Sequence, residues 1–373
     1  MTDSHPEVIR AGDENGNGMI VRITLSSGRR VLGLATRNTY EGDWDLGPTW
    51  NYVVEGDKAL LVDTGRTGMG DSLLEMLASV GLGGRGIGQV ILTHGHEDHD
   101  GGLYDVVRET GARVLAHPVY PRLIRTYPAL APSPEKEDFP ASCWHCPMTP
   151  SFYREHCLEY HRQREVLSVE TVPDGDSTLM EGVSAFHVPG HAPDALALLV
   201  DGEILLSGDT VLPQITPHPS QEGFFLLTGS VLDGCGRAED LYGLRAYIRS
   251  LKRLDGLAAR AGDLLFLPGH RLYYGRDWAC LDLRPRIREL MEHHLQRCAD
   301  LLGVLKNGPL DAKEAARAHF EKRLLKGPGM NMAVNEVLSH WELLEAAGDV
   351  RREEQGVFAA TGRVCFEEFI KSL

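Results

Sequence analysis

From Met19 to Thr64 apolar and polar residues alternate in short runs, MIVRITL, VLGLATR and NYVVEGDKALLVDTG. A period of two predicts β-strands, and Glu55-Gly56-Asp57-Lys58 reads as a hairpin turn between two of them. Helical spacing then covers Asp71 to Val80, and the apolar run Val90-Ile91-Leu92 predicts a buried strand. A helix over Gly102 to Thr110, a strand over Val114 to His117 and a short helix follow. Beyond an interruption, strands are expected at Ser184 to Val188, Ala195 to Val200, Ile204 to Ser207 and Leu264 to Leu267, with a helix over Ala238 to Leu254. Strands interleaved with helices predict sheets covered by helices, an α/β sandwich.

After Gly275 the pattern turns helical. Pro285 to Leu302 is amphipathic, with Ile287, Leu290, His294 and Leu301 on one face, and Pro285 suits a first turn where no N–H is needed. Asp311 to Leu325 and Met332 to Ala347 predict two more helices, the last closed by Gly348. A hairpin turning at Gln355-Gly356 completes the order of a winged helix. The expected division is an α/β unit over 1–275 and a helical, winged-helix unit over 284–373.

The chain has 373 residues, 42% apolar and 24% charged, which is ordinary globular composition. Its net charge of −15 counts against a broad nucleic-acid surface, which is built from Lys and Arg. From residue 301 onward the sequence holds 10 Lys+Arg against 11 Asp+Glu, and the candidate recognition helix, NMAVNEVLSHWELLEAAG, has neither basic residue. Packing or homodimer formation is therefore expected of this unit, and DNA reading is not. The first eighteen residues lack the apolar run of a secretory signal, no segment is apolar enough to span a bilayer, and the expected location is cytoplasmic.

Charge and chemistry concentrate in THGHEDHDGG, Thr93 to Gly102, directly after the strand ending at Leu92. A single histidine on such a loop would be a solvated polar residue. The full His-x-His-x-Asp-His pattern is much harder to obtain by chance, and further ligand types recur at later strand ends. His191 follows Val188-Pro189-Gly190, Asp209 follows Ser207-Gly208, and His270 follows Pro268-Gly269. Five histidines and two aspartates leaving four strands fit two metals with nitrogen and oxygen ligands, most simply two zinc ions, with iron or manganese as alternatives. His187, on its strand, is expected to be structural. His218, on a Pro-rich loop, is a candidate for substrate contact.

These motifs, spread from Asp63 to His270, resemble the metallo-β-lactamase fold superfamily, the αββα hydrolases that include glyoxalase II. The resemblance implies that His94, His96 and His191 hold one metal, that Asp98, His99 and His270 hold the second, and that Asp209 bridges them. Asp63, in LVDTG, matches a position that supports the site through hydrogen bonds. The tail and the phrase VLPQITPH after Asp209 are similar to a subgroup near lactamase-like protein two, which contains a ribonuclease and has fungal thioesterase relatives. The implied chemistry is a metal-bridging hydroxide attacking a small acyl substrate, with Asp98 relaying a proton. The competing reading is a phosphodiesterase or ribonuclease using the same ligands. A non-enzymatic module, a secreted β-lactamase and an iron-dependent dioxygenase rank lower.

Between Tyr127 and Arg164 an insertion carries Cys143-x2-Cys146-x10-Cys157-x3-His161, with His145 and His156 as alternative ligands. The spacing makes a small structural zinc site a candidate alongside three reduced thiols. A lid over the substrate pocket is the expected role of the whole segment.

Overall fold

The computed structural model describes residues 6–38, 45–124, 157–175, 179–222, 234–262, 264–327 and 329–373. Most of the insertion, including Cys143, His145, Cys146 and His156, lies outside the described residues.

The first sheet has eight strands in chain order: β1 Glu7–Arg10, β2 Ile20–Thr24, β3 Arg30–Thr36, β4 Thr49–Val54, β5 Ala59–Val62, β6 Ile87–Ile91, β7 Arg113–Ala116 and β8 Val169–Thr171. Neighbours are antiparallel up to β5 and parallel from β5 to β8. The change occurs where helices begin to cross over: α1 Gly70–Ser79, then α2 Glu97–Asp100 and α3 Leu103–Thr110, then α4 Tyr120–Leu123 and α5 Cys157–Glu165. The second sheet has the order β12-β11-β10-β9, with β9 Val183–His187, β10 Leu196–Val200, β11 Ile204–Gly208 and β12 Leu265–Pro268.

Alternation along each strand explains the layers. Leu60 and Val62 of β5 face the core between the sheets, where they meet Leu196, Leu198 and Leu206. Ala59 and Leu61 turn the other way, into a core shared with Leu73, Leu77 and Val106 of α1 and α3. On the far side of the second sheet, Ala197 and Leu205 pack against Tyr247, Leu251 and Leu254. Helices, two sheets and helices form the αββα sandwich.

The helix expected over Ala238 to Leu254 is two, α6 Ala238–Leu241 and α7 Leu244–Ala261. Gly243, with φ +96°, breaks it while its N–H reaches the Gly190 carbonyl at 3.3 Å. A Cβ on Gly190 would lie 2.3 Å from the Tyr247 backbone, so only glycine lets α7 settle onto the loop that carries His191.

After two short paired strands, β13 Tyr273–Tyr274 and β14 Asp277–Trp278, come α8 Leu283–Val304, β15 Leu310–Asp311, α9 Ala312–His319, α10 Gly329–Ala347, β16 Val350–Arg352, β17 Val357–Ala360 and α11 Phe366–Ser372. Asp311 caps α9 with a reciprocal bond to Glu314. The helix expected to reach Leu325 stops at His319: residues 321–324 are exposed, Leu324 at 54%, and only Phe320 and Leu325 on either side of them pack against the core. Ile287, Leu290, Leu301, Val337, Trp341, Leu344 and Phe358 share one core with α7. The C-terminal helices are thus continuous with the outer layer of the sandwich.

Candidate metal centre

The ligand-bearing segments all leave the C-terminal ends of strands at one rim. Parallel pairing sets Gly208 beside Pro268, which brings the following residues, Asp209 and His270, to the same place. The Gly269 N–H donates to the Gly208 carbonyl at 2.9 Å. A Cβ on Gly269 would fall 2.4 Å from Asp209 Oδ1 and 2.8 Å from the His99 ring, so this close approach needs glycine. Across the rim, the Leu196 N–H donates to the Thr93 carbonyl at 2.7 Å and ties the two sheets beside His94.

All seven predicted ligands come together. His94, His96 and His191 form one group, Asp98, His99 and His270 a second, and His94, His99 and Asp209 a third that links them; within each group the ligand atoms lie within 4.8 Å of one another. Asp209 has Oδ1 at 3.4 Å from His99 Nε2, and Oδ2 at 3.6 Å from His191 Nε2 and 3.5 Å from His270 Nε2. His94, His99, His270 and Asp209 are buried, whereas His96, Asp98 and His191 are half-buried. Solvent and substrate therefore reach the site past the latter three.

Hydrogen bonds fix which imidazole nitrogen faces inward. His270 Nδ1 donates to the Pro48 carbonyl at 3.1 Å, and His99 Nδ1 donates to Asp63 Oδ2 at 2.8 Å. Thr93 Oγ1 spends its hydrogen on Asp63 Oδ2 at 2.7 Å, so it accepts from His94 Nδ1 at 3.1 Å. In their neutral forms all three rings turn an Nε2 lone pair to the centre. His99 Nε2, His270 Nε2 and Asp209 Oδ1 are buried without a well-aligned hydrogen bond, although His270 Nε2 lies 3.1 Å from Asp98 Oδ2 and His99 Nε2 3.4 Å from Asp209 Oδ1. His94 Nε2 and His191 Nε2 lie 3.0 and 3.1 Å from the same atom, His96 Nδ1, and one proton there cannot serve both. Lone pairs forced together in this way fit divalent cations, and the donor set of imidazole and carboxylate suits zinc, iron or manganese.

Without metal the rings divide into two sets: burial would lower His99 and His270, yet Asp209 and Asp98 outweigh it and raise both, so these two hold protons that a bound cation would displace, while the other three stay neutral. Burial, reinforced by neighbouring imidazoles, holds His94 well below its ordinary value, and burial with His191 brings His96 to about 3. His191 is lowered by burial as well, so these three are neutral donors at pH 7. Burial would raise Asp98 and Asp209, yet His99 and His270 outweigh it and hold both carboxyls low and ionised.

The other oxygen of Asp63 accepts from the Thr93 N–H at 2.7 Å. It sits at φ +61°, a conformation costing a non-glycine residue on the order of 1 kcal/mol and found at sites that the surrounding fold over-determines. His187 is structural as expected: it stacks on His117 at 3.8 Å and bonds the Pro193 carbonyl at 2.9 Å. His218 donates from Nδ1 to the Thr216 carbonyl at 3.1 Å and is electrostatically close to His294, His340 and Glu336. His161 is buried, with Nδ1 2.9 Å from Arg164 Nη2.

Several supporting residues escape sequence reasoning. Asn38 Nδ2 donates to Asp98 Oδ2 at 2.9 Å, and Glu97 Oε1 accepts from the Thr67 N–H at 2.7 Å. Arg286 of α8 donates to the Leu212 and Ile215 carbonyls at 2.8 and 3.0 Å. Glu342 of α10 accepts from Ser220, Gln221 and Glu222 at 2.8 to 2.9 Å, and Asn335 Nδ2 donates to the His218 carbonyl at 2.9 Å. The C-terminal helices thereby hold the loop that runs on from Asp209. Nothing local marks these residues, because their partners are far away in sequence.

Residues 44–273, more than half of the chain, match the family model of the metallo-beta-lactamase superfamily, and the chain belongs to that superfamily. Among solved structures it is similar to a metallo-beta-lactamase family protein of Thermus thermophilus, with 26% identity, a TM-score of 0.62 and coverage of 88% of this chain and 98% of the other. A beta-lactamase domain protein of Burkholderia ambifaria shares the fold at 20% identity and TM-score 0.64, over 97% and 99% of the two chains. An atrochrysone carboxyl ACP thioesterase of Claviceps purpurea is 27% identical over 207 residues, 53% of this chain and 50% of its own. A lactamase-like protein of Pestalotiopsis microspora is 27% identical over 189 residues, 49% and 44%. The chain spans about half the length of the curated relatives it matches.

Proposed function

We propose that the chain is a cytoplasmic, binuclear metal-dependent hydrolase acting on a small acyl substrate, a thioester, ester or lactone. The convergence of Nε2 atoms on Asp98 and Asp209, each ring fixed by a hydrogen bond on its far side, carries this reading. His94, His96 and His191 would hold one ion, Asp98, His99 and His270 the other, and Asp209 would lie between them. When bound, such a pair supplies acidified water and positive charge against a developing oxyanion. Asn38 fixes one oxygen of Asp98 at the half-buried side of the site, which suits Asp98 to receive a proton and return it to the leaving group. Thr93, Asp63 and the Pro48 carbonyl keep the imidazoles from turning.

The acyl preference is supported by relatives named as ACP thioesterases and by the net charge of −15. We read the C-terminal unit as a winged helix used for packing. Its would-be recognition helix, α10, spends Asn335 and Glu342 on the chain's own loop, which leaves little for nucleic acid.

Elemental analysis combined with a panel of acyl-CoA, acyl-pantetheine, lactone and bis-p-nitrophenyl phosphate substrates tests this. Two ions per chain and chelator-sensitive turnover of thioester or lactone are expected. Turnover confined to the phosphodiester would replace the reading with the nuclease alternative. A metal content near three that falls to two in Cys143→Ser would add the structural zinc; a value near two in both proteins would remove it.

A further inference from the structure

The turn α2 carries two ligands, Asp98 and His99, and ends at Asp100, whose carboxylate no part of the proposed chemistry uses. Asp100 is buried at 1% exposure, yet it is surrounded by donors. Tyr120 Oη donates to its Oδ2 at 2.9 Å, Tyr160 Oη to its Oδ1 at 2.6 Å, and Arg164 Nη1 to its Oδ2 at 2.7 Å. Arg164 is equally buried, its guanidinium 3.8 Å from the centre of the Tyr160 ring and 2.9 Å from His161 Nδ1. Withdrawing both ions from water is costly, and a fold gains little net stability from such a pair, so its specific geometry is what it contributes.

That geometry joins two parts of the chain. Tyr160 and Arg164 stand four residues apart on one face of α5, the helix that closes the insertion. Asp100 directly follows His99. The other contacts of α2 leave it little freedom: Glu97 binds the Thr67 N–H, and the His99 carbonyl accepts from the Thr64 N–H at 2.7 Å and Thr64 Oγ1 at 3.0 Å. The Asp100 clamp is the fixed point on the side of the insertion. The first ligand group has direct supports of its own, the Gly95 N–H on Asp194 Oδ2 at 2.9 Å and His94 on Thr93, and meets the clamp only indirectly, where the Tyr120 ring lies beside Gly95 and the charges of Asp100 and Arg164 act on Asp194.

We propose that Arg164, with Tyr160, is a positioning residue that acts through Asp100 to set the second metal half-site, Asp98, His99 and His270, separately from the first. The insertion is thereby built into the metal centre at its root, as well as lying beside it in sequence. The proposal rests on the binuclear reading above.

The experiment uses the full chain loaded with Co(II), read by its electronic absorption and by chelator competition. In the wild type two ions bind. In Arg164→Met the second ion is expected to weaken by about 10- to 100-fold, the scale of losing a ligand-orienting contact, with the first changed less than about twofold. The second-site Co(II) absorption bands should shift as coordination relaxes. Asp100→Asn combined with Arg164→Met removes the unpaired buried charge and preserves the fold, and it should show the same selective loss. Arg164→Lys should recover part of it. Equal weakening of both ions, or unchanged affinities with unchanged bands in a folded double variant, would overturn the proposal. A wild type that binds fewer than two ions would overturn the binuclear reading itself and is scored separately.

Discussion

Among the described residues, buried histidines gather at the strand ends and between α8 and α10, and the two groups are arranged differently. At the strand ends, the far nitrogens of His94, His99 and His270 are occupied by acceptors, so in the neutral rings the lone pairs point at one another and at two carboxylates. Between α8 and α10 the arrangement is reversed. His340 Nδ1 donates to the Glu336 carbonyl at 2.7 Å, which leaves its Nε2 to accept from His294 Nδ1 at 3.1 Å. The protons there form a chain and no lone pairs collide; the nitrogen left over, His294 Nε2, has no partner. Burial holds both of these rings low, His340 at about 3, so neither carries charge at pH 7. Residue type and burial are alike in the two clusters. What separates a ligand set from packed imidazoles is the direction of the second nitrogen's hydrogen bond.

Substitutions can break this contrast, and the largest effect is expected at Asp209. Asp209→Asn removes the carboxylate shared by both groups, so hydrolysis should fall by about 10³-fold or more, the scale of losing several kcal/mol of charge stabilisation. Metal content should fall with it, and full activity with two ions per chain would remove Asp209 from the site. Next comes Asp63→Ala, which frees His99 and Thr93 to turn. Metal affinity should drop by about 10- to 100-fold with an unchanged far-ultraviolet circular dichroism spectrum.

In the other cluster, His294→Leu should leave two ions bound and activity per bound metal intact. It should cost about 1–3 kcal/mol in denaturant unfolding, because His340 Nε2 loses its donor in a buried place. A loss of metal here would dissolve the distinction between the clusters. A further effect is in pH dependence. The folded values of His294 and His340 lie below the unfolded ~6.5, so their contribution is complete above about pH 6.5 and declines as pH falls toward 3. Each contributes at most about 1.4 kcal/mol per pH unit in that window. Metal-free His340→Gln should therefore show a shallower loss between pH 6.5 and 4 than metal-free wild type, and equal slopes would count against a neutral His340.

The sandwich and the seven ligands are legible in the sequence because both are written locally. Alternation names the strands, and ligand residues directly follow strand ends, as Asp209 follows Ser207-Gly208. The turn residues are legible for the same reason. The break at Gly243 is not, since it depends on Gly190 lying against Tyr247, far along the chain. Edge strand β1 is also missed, because all four of its residues are exposed and no alternation marks it. Asn38, Glu342 and Arg164 are polar residues whose meaning lies wholly in distant partners. His340 and His294 show the converse limit: at helical spacing they look like any core positions, and only their hydrogen-bond direction tells what they are.

The loop beyond Asp209 is gripped from outside the family-defining segment, by Arg286, Asn335 and Glu342, and α7 shares its apolar face with Trp341 and Phe358. A fragment cut at residue 275 would therefore lose more than an appendage. It would expose the outer face of α7 to solvent and release the segment leading away from Asp209. The smallest piece expected to fold and hold metal runs through Ile370, and expression libraries or evolutionary recombination that treat residues 44–273 as a portable cassette should yield aggregated, metal-poor protein.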